Sequence, residues 1–255
     1  MSIEIETRRP GLGAWLTLIL CEARMVARDT AGLVVPVGLP LLILVMSASA
    51  ASDEVVTNGR TALDVFVLPL VLTMVIATIG VINMPSFLAY YRRTGILRRL
   101  SVTPASPAMV LVAQVVVSVI QAIVGIAAAL AVAVLVFGAN PPAHLGAALG
   151  VFVLAMAAMY AVGMIVAAIA PTPNSAVAIG LIVFFALGAL GGMFGGRGAL
   201  PDAVATVGEW LTFGAGVEAL SAAWAGAAVE PAHLVSLGVT IVFGAAVAAV
   251  LFRWD

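Results

Sequence analysis

The stretch AMVLVAQVVVSVIQAIVGIAAALAVAVLVF runs from Ala108 to Phe137 without a charged residue. A helix crossing the hydrocarbon core of a bilayer needs about 20 mostly apolar residues, so this stretch reads as a membrane span. It belongs to a longer run, Leu100 to Gly196, of 97 residues that holds no Asp, Glu, Lys or Arg. That run is too long for one span or two. Gly138-Ala139-Asn140-Pro141-Pro142 and Pro171-Thr172-Pro173-Asn174 carry strong turn signals. Cutting there leaves spans near 108–137, 145–170 and 175–195. Towards the N-terminus, Thr30 to Ser52 and Val65 to Tyr91 make two more. Pro231 to Phe252 makes the sixth and closes on Arg253-Trp254, an interfacial anchor.

Composition agrees. Of 255 residues, 64% are hydrophobic and 9% charged, against roughly 45–50% and about 25% in soluble domains. This excludes a soluble globular domain and a disordered chain. All 11 basic residues are arginine. Without lysine there is no Walker A loop and no Schiff base, so the chain itself carries no ATPase motif. A net charge of −1 gives no electrostatic reason to expect nucleic acid. His144, His233 and Cys21 are too few for a haem pair, a zinc cluster or a disulfide, and no metal site is expected. Leu20 is not the small residue a lipoprotein box needs, so Cys21 reads as a buried, inert thiol. The short run Gly11 to Cys21 after Arg8-Arg9 reads as mature protein rather than a signal.

The arginines set the orientation. Arg8, Arg9, Arg24, Arg28, Arg92, Arg93, Arg98, Arg99 and Arg253 fall on one side of a six-span chain, Arg60 and Arg197 on the other. Cytoplasmic loops collect Lys and Arg, which predicts cytoplasmic termini in an inner (plasma) membrane. The other side holds the acids Asp53, Glu54, Asp64, Asp202, Glu209, Glu218 and Glu230. Two further segments stand out. Over 11–29, Thr17, Arg24 and Arg28 form a polar stripe opposite Trp15, Leu16, Ile19, Ala23 and Val26, the pattern of a helix lying in the interface. Over 198–230 the chain is too apolar for a free loop and too interrupted for a span. Pro201 starts it and Gly214-Ala215-Gly216 breaks it, suggesting two short helices dipping into the outer leaflet.

This order of parts resembles the permeases of type-2 ABC exporters over nearly the whole chain. The most specific part is Tyr90-Tyr91-Arg92-Arg93-Thr94-Gly95-Ile96-Leu97-Arg98-Arg99-Leu100, followed by Thr103-Pro104. Arg28-Asp29 leading into a span with Pro36 and Pro40, and Leu200-Pro201 leading to Val217-Glu218-Ala219-Leu220, add to it. Arg92-Arg93 stands where members often have a glutamate, and Thr212-Phe213-Gly214 where they often have a proline. The resemblance implies a single permease domain over 1–255: an all-α integral membrane protein of six transmembrane helices, an N-terminal interfacial helix and a re-entrant outer segment. It also implies a coupling loop over 90–107, a separate ATPase subunit holding ATP and Mg, and a second permease, identical or related.

For docking on that ATPase, Arg92, Arg93, Arg98 and Arg99 offer bidentate pairs to acidic groups and Leu97 and Leu100 an apolar contact. The alternative is that these arginines only set topology and meet lipid phosphates. Gln114, Ser118 and Gln121 share one face of the third span, and Asn83 lies in the second. They line a substrate route or bond helix to helix. Gly188, Gly192 and Gly196 form a small-residue stripe for helix packing, at a subunit interface or within one chain. Glu209 and Glu218 either guide a cationic substrate or are merely solvated. The favoured function is export of an amphipathic drug-like or lipid molecule. A membrane scaffold or assembly factor is the alternative, and an intramembrane enzyme lacks the paired nucleophile and base it needs.

Overall fold

A computed structural model of the chain describes residues 11–51, 54–96 and 107–251. Among the described residues, six helices are long and apolar enough to cross a membrane. The second span is the staff around which the others pack. It runs continuously over Leu63–Arg93, and 89% of its most apolar window is buried, against 22% for the first span and 17% for the last.

The chain opens with α1, Leu12–Arg28, separated from α2, Thr30–Ala50, by extended Asp29. Asp29 caps α2 by accepting a hydrogen bond from the Gly32 N–H at 3.0 Å. The face of α1 that turns inward carries Ile19, Glu22, Ala23 and Val26, and packs near Phe87, Tyr91 and Val110. Leu16 is 61% exposed and Cys21 is exposed. The expectation of a buried thiol is thereby corrected: Cys21 lies on the outward face, one position from buried Glu22.

Between α2 and the second span lies a small hairpin, β1 (Val55–Thr57) paired antiparallel with β2 (Arg60–Thr61). Its turn is Asn58-Gly59, both at positive φ (46° and 75°), as a twist-matched two-residue hairpin requires. The second span then comprises α3 (Leu68–Ala77) and α4 (Met84–Arg93), each preceded by a widened π-type segment, Leu63–Val67 and Thr78–Asn83. The third to fifth spans are α5 (Pro107–Phe137), α6 (Leu145–Ile169) and α7 (Pro173–Leu190). Thr172 and Ser175 form a reciprocal capping box at the start of α7.

The widened segment at Thr78–Asn83 presses its backbone against the fourth and fifth spans. A Cβ at Gly163 of α6 would lie 1.8 Å from the Gly80 carbonyl oxygen, and one at Gly180 of α7 would lie 2.5 Å from that of Val81. Glycine is required at 163 because no side chain fits there. Met74, Ile79, Met84, Met159, Phe184 and Phe213 fill the core around this crossing.

The fifth span ends at Leu190, short of the expected 195. Gly192 and Gly196 have φ of 84° and 77°, a region that favours glycine. Gly188, Gly192 and Gly196 are therefore not one helical packing face: Gly188 lies on α7 and the other two shape the turn after it. The expected helix pair follows as α8 (Asp202–Trp210) and α9 (Thr212–Ala225). Their break is at extended Leu211, not at Gly214–Gly216, which lie inside α9. The last span is α10, Pro231–Leu251.

Candidate functional site

Two prolines inside α2 organise the polar centre of the bundle. Proline has no N–H, so a helical proline leaves the carbonyl four residues earlier without its donor. Pro36 does this to Gly32, and Pro40 does it to Pro36. In hydrocarbon an open carbonyl costs several kcal/mol, and neighbouring helices must supply the donor. They do. The Gly32 carbonyl accepts from Asn83 Nδ2 at 2.9 Å and from Gln121 Nε2 at 2.7 Å. The Pro36 carbonyl accepts from Thr78 Oγ1 at 3.1 Å. Asn83 Nδ2 also lies 3.1 Å from Gln121 Oε1. Thr78, Asn83 and Gln121 are all buried. The first three spans are thus bonded at the two places where the first cannot bond itself.

At the arginine-rich end, α4 stops on Thr94 and Gly95, the latter at φ 69°. Arg92 donates to the Ala170 carbonyl at the end of α6, and Arg93 is exposed. The Tyr91 hydroxyl donates to the Glu22 carboxyl of α1, and Glu22 is 6% exposed. Burial pushes the Glu22 carboxyl above its ordinary 4.5, and the tyrosine hydrogen bond pulls it partly back.

The acidic end is tied by Asp64, which is fully buried. It accepts from the Asn140 N–H at 2.8 Å, Asn140 Nδ2 at 2.9 Å and the Thr61 N–H at 3.2 Å. Trp224 Nε1 of α9 donates to the Asn140 carbonyl at 3.0 Å. Beside this knot opens a cleft of ≈ 480 Å³ between α2, the second span, the glycine turn and α9. Ser47, Phe66, Leu70, Met193, Val217 and Glu218 are among its walls.

A family model for the ABC-2 type transporter matches residues 14–224. The chain belongs to the ABC-2 type transporter family. No curated protein matches it. It is a multi-pass membrane permease, and the family's members are membrane subunits that work with an ATPase rather than hydrolyse ATP themselves.

Within this permease the residues singled out from sequence fall in separate places. Asn83 and Gln121 meet each other. Gln114 lies two turns nearer the arginine-rich end, lining an apolar hollow with Met84, Leu88 and Met164, and its Oε1 has no partner among the described residues. Ser118 is buried. Arg92 and Arg93 sit at the end of the second span, whereas Leu97, Arg98, Arg99 and Leu100 lie outside the described residues. Glu209 meets His233 of α10, with Glu209 Oε1 3.4 Å from His233 Nε2, while Glu218 lines the cleft. Sequence reasoning missed three functional groups. Asp64 reads as a loop acid, because its partner Asn140 lies 76 positions away. Glu22 interrupts an apolar face and pairs with a distant tyrosine. The carbonyls of Gly32 and Pro36 carry no side-chain signal, but a proline four residues downstream of each marks them.

Proposed function

We propose that this permease forms the translocation path of an ATP-driven exporter whose ATP and Mg2+ are held by a separate subunit. A second permease, identical or related, completes the path. Residues 90–107 dock on the ATPase at the cytoplasmic face of the inner (plasma) membrane, with both termini on that side. Helix α1 lies along the same interface, and α8 and α9 form the re-entrant outer segment. The cargo is an amphipathic drug-like or lipid molecule.

The observation that carries this reading is the outer cleft. Its walls are apolar apart from Ser47 and Glu218, with Phe66 58% exposed at its edge. Such a lining favours a molecule with an apolar body and one polar end. The three polar side chains of the bundle centre are spent on α2 carbonyls, which supports the cleft as the cargo-facing surface.

The test has two parts. Purified in mild detergent from its own membrane, the tagged permease brings down a nucleotide-binding ATPase in stoichiometric amount. Changing Leu97→Asp and Leu100→Asp together abolishes that recovery, and an undiminished yield discards the docking loop. A lipophilic cation stimulates ATP hydrolysis by the complex, and Leu70→Trp, which fills the cleft, removes the stimulation. A permease that recovers no ATPase at all is a scaffold or assembly factor instead.

A further inference from the structure

We propose that Glu209, Glu230 and His233 form a binding site for a zinc-type divalent ion that fastens α8 to the start of α10. Glu230-Pro231-Ala232-His233 places a carboxylate just before α10 and an imidazole in its first turn, where the His233 N–H donates to the Glu230 carbonyl at 3.1 Å. Glu209, from the first re-entrant helix, supplies the third. One donor atom from each residue lies within 4.8 Å of the other two.

The spacing leaves room for a cation between the two groups. His233 Nε2 is 3.4 Å from Glu209 Oε1. A charge-assisted N–H···O bond is shorter, about 2.7–2.9 Å. Two donors each about 2.0–2.1 Å from a tetrahedral zinc stand roughly 3.4 Å apart. The imidazole itself is 6% exposed, and its Nδ1 is buried without a partner among the described residues. In the proposed site the cation lies between the Nε2 lone pair and the Glu209 carboxylate, and the ring proton sits on Nδ1. Glu209 has a further interaction of its own, which a two-oxygen carboxylate accommodates. Glu230 is exposed, so the ion enters from solvent and water completes its shell. One imidazole with two carboxylates selects zinc-like ions over magnesium and calcium, which prefer oxygen alone. The site is independent of the cargo and of the ATPase.

The test uses the full-length permease in detergent, stripped with a chelator and titrated with ZnCl2 in competition with a chromogenic indicator. We expect one zinc per chain, no competition from MgCl2 or CaCl2, and affinity lowered at least about tenfold by Glu230→Gln and by Glu209→Gln. Glu230→Gln changes an exposed side chain and leaves the fold intact, so its result stands even if a His233 variant does not fold. Absence of stoichiometric zinc, or zinc affinity unchanged in both glutamine variants, overturns the site and leaves an ordinary His–Glu contact.

Discussion

Leucine in place of Asn83 removes one of the two side-chain donors that reach the Gly32 carbonyl. The expected cost is about 1 kcal/mol, within the range measured for hydrogen bonds between membrane helices. The informative comparison is with Pro36→Ala, which restores an N–H that bonds Gly32 within α2. In that background Asn83→Leu should cost about half as much, because the carbonyl no longer depends on its neighbours. Thermal unfolding of the four members of this cycle reads the coupling, and equal costs in both backgrounds would refute the compensating role. Sequence alone identified Asn83 and Gln121 as buried polar residues and left open what they face. The answer was partly legible: Pro36 and Pro40 announce two open carbonyls, though not which donors fill them. Asp64 was not legible, since a lone acid at a span end looks the same whether it meets water or the amide of Asn140.

Helix α1 is held to α4 by the Glu22–Tyr91 contact as well as by apolar packing. The raised carboxyl gives this docking a pH dependence of known sign. A folded-state value above that of the unfolded chain means the folded protein keeps the proton to higher pH. The stabilisation is full below the ordinary 4.5 and is lost as pH rises through the raised folded value. Glutamine at 22 keeps the shape and does not titrate there, so the unfolding midpoint of Glu22→Gln should fall less than that of the unaltered chain across this window. Two parallel profiles would exclude Glu22 as the titrating group. The helices were largely legible, because charge gaps and Pro/Gly breakers bound every span to within a few residues. What failed was local backbone geometry. Gly214 and Gly216 read as breakers yet lie inside α9, where Gly214 lets the helix approach the Gly208 carbonyl of α8, and the break falls at Leu211, which carries no turn signal. The Asn58-Gly59 hairpin carried a strong one that a search for long apolar runs passes over.

The bundle as a whole presents wide apolar faces on its outer spans and gathers charge at its two ends. In a Cys21→Ser background, Arg93→Cys should react with a membrane-impermeant maleimide only from the cytoplasmic side, and Val56→Cys in the hairpin only from the other. Reaction of both from one side would invert or break the six-span topology. At this scale the sequence was most informative, since the family resemblance and the family match cover nearly the same residues. Composition fixes the class, while distant pairings such as Glu209 with His233 had to wait for the fold. Counting histidines and cysteines gave no hint of that cluster, because its other two members are carboxylates.

The prolines of α2 also bear on how the protein is made. Translation delivers the first span long before Thr78, Asn83 and Gln121 exist. Until they arrive, the Gly32 and Pro36 carbonyls have no donor, at several kcal/mol each in hydrocarbon. Lateral release of the first span into lipid is thereby favoured once the next two are made, which links the three spans energetically during membrane insertion.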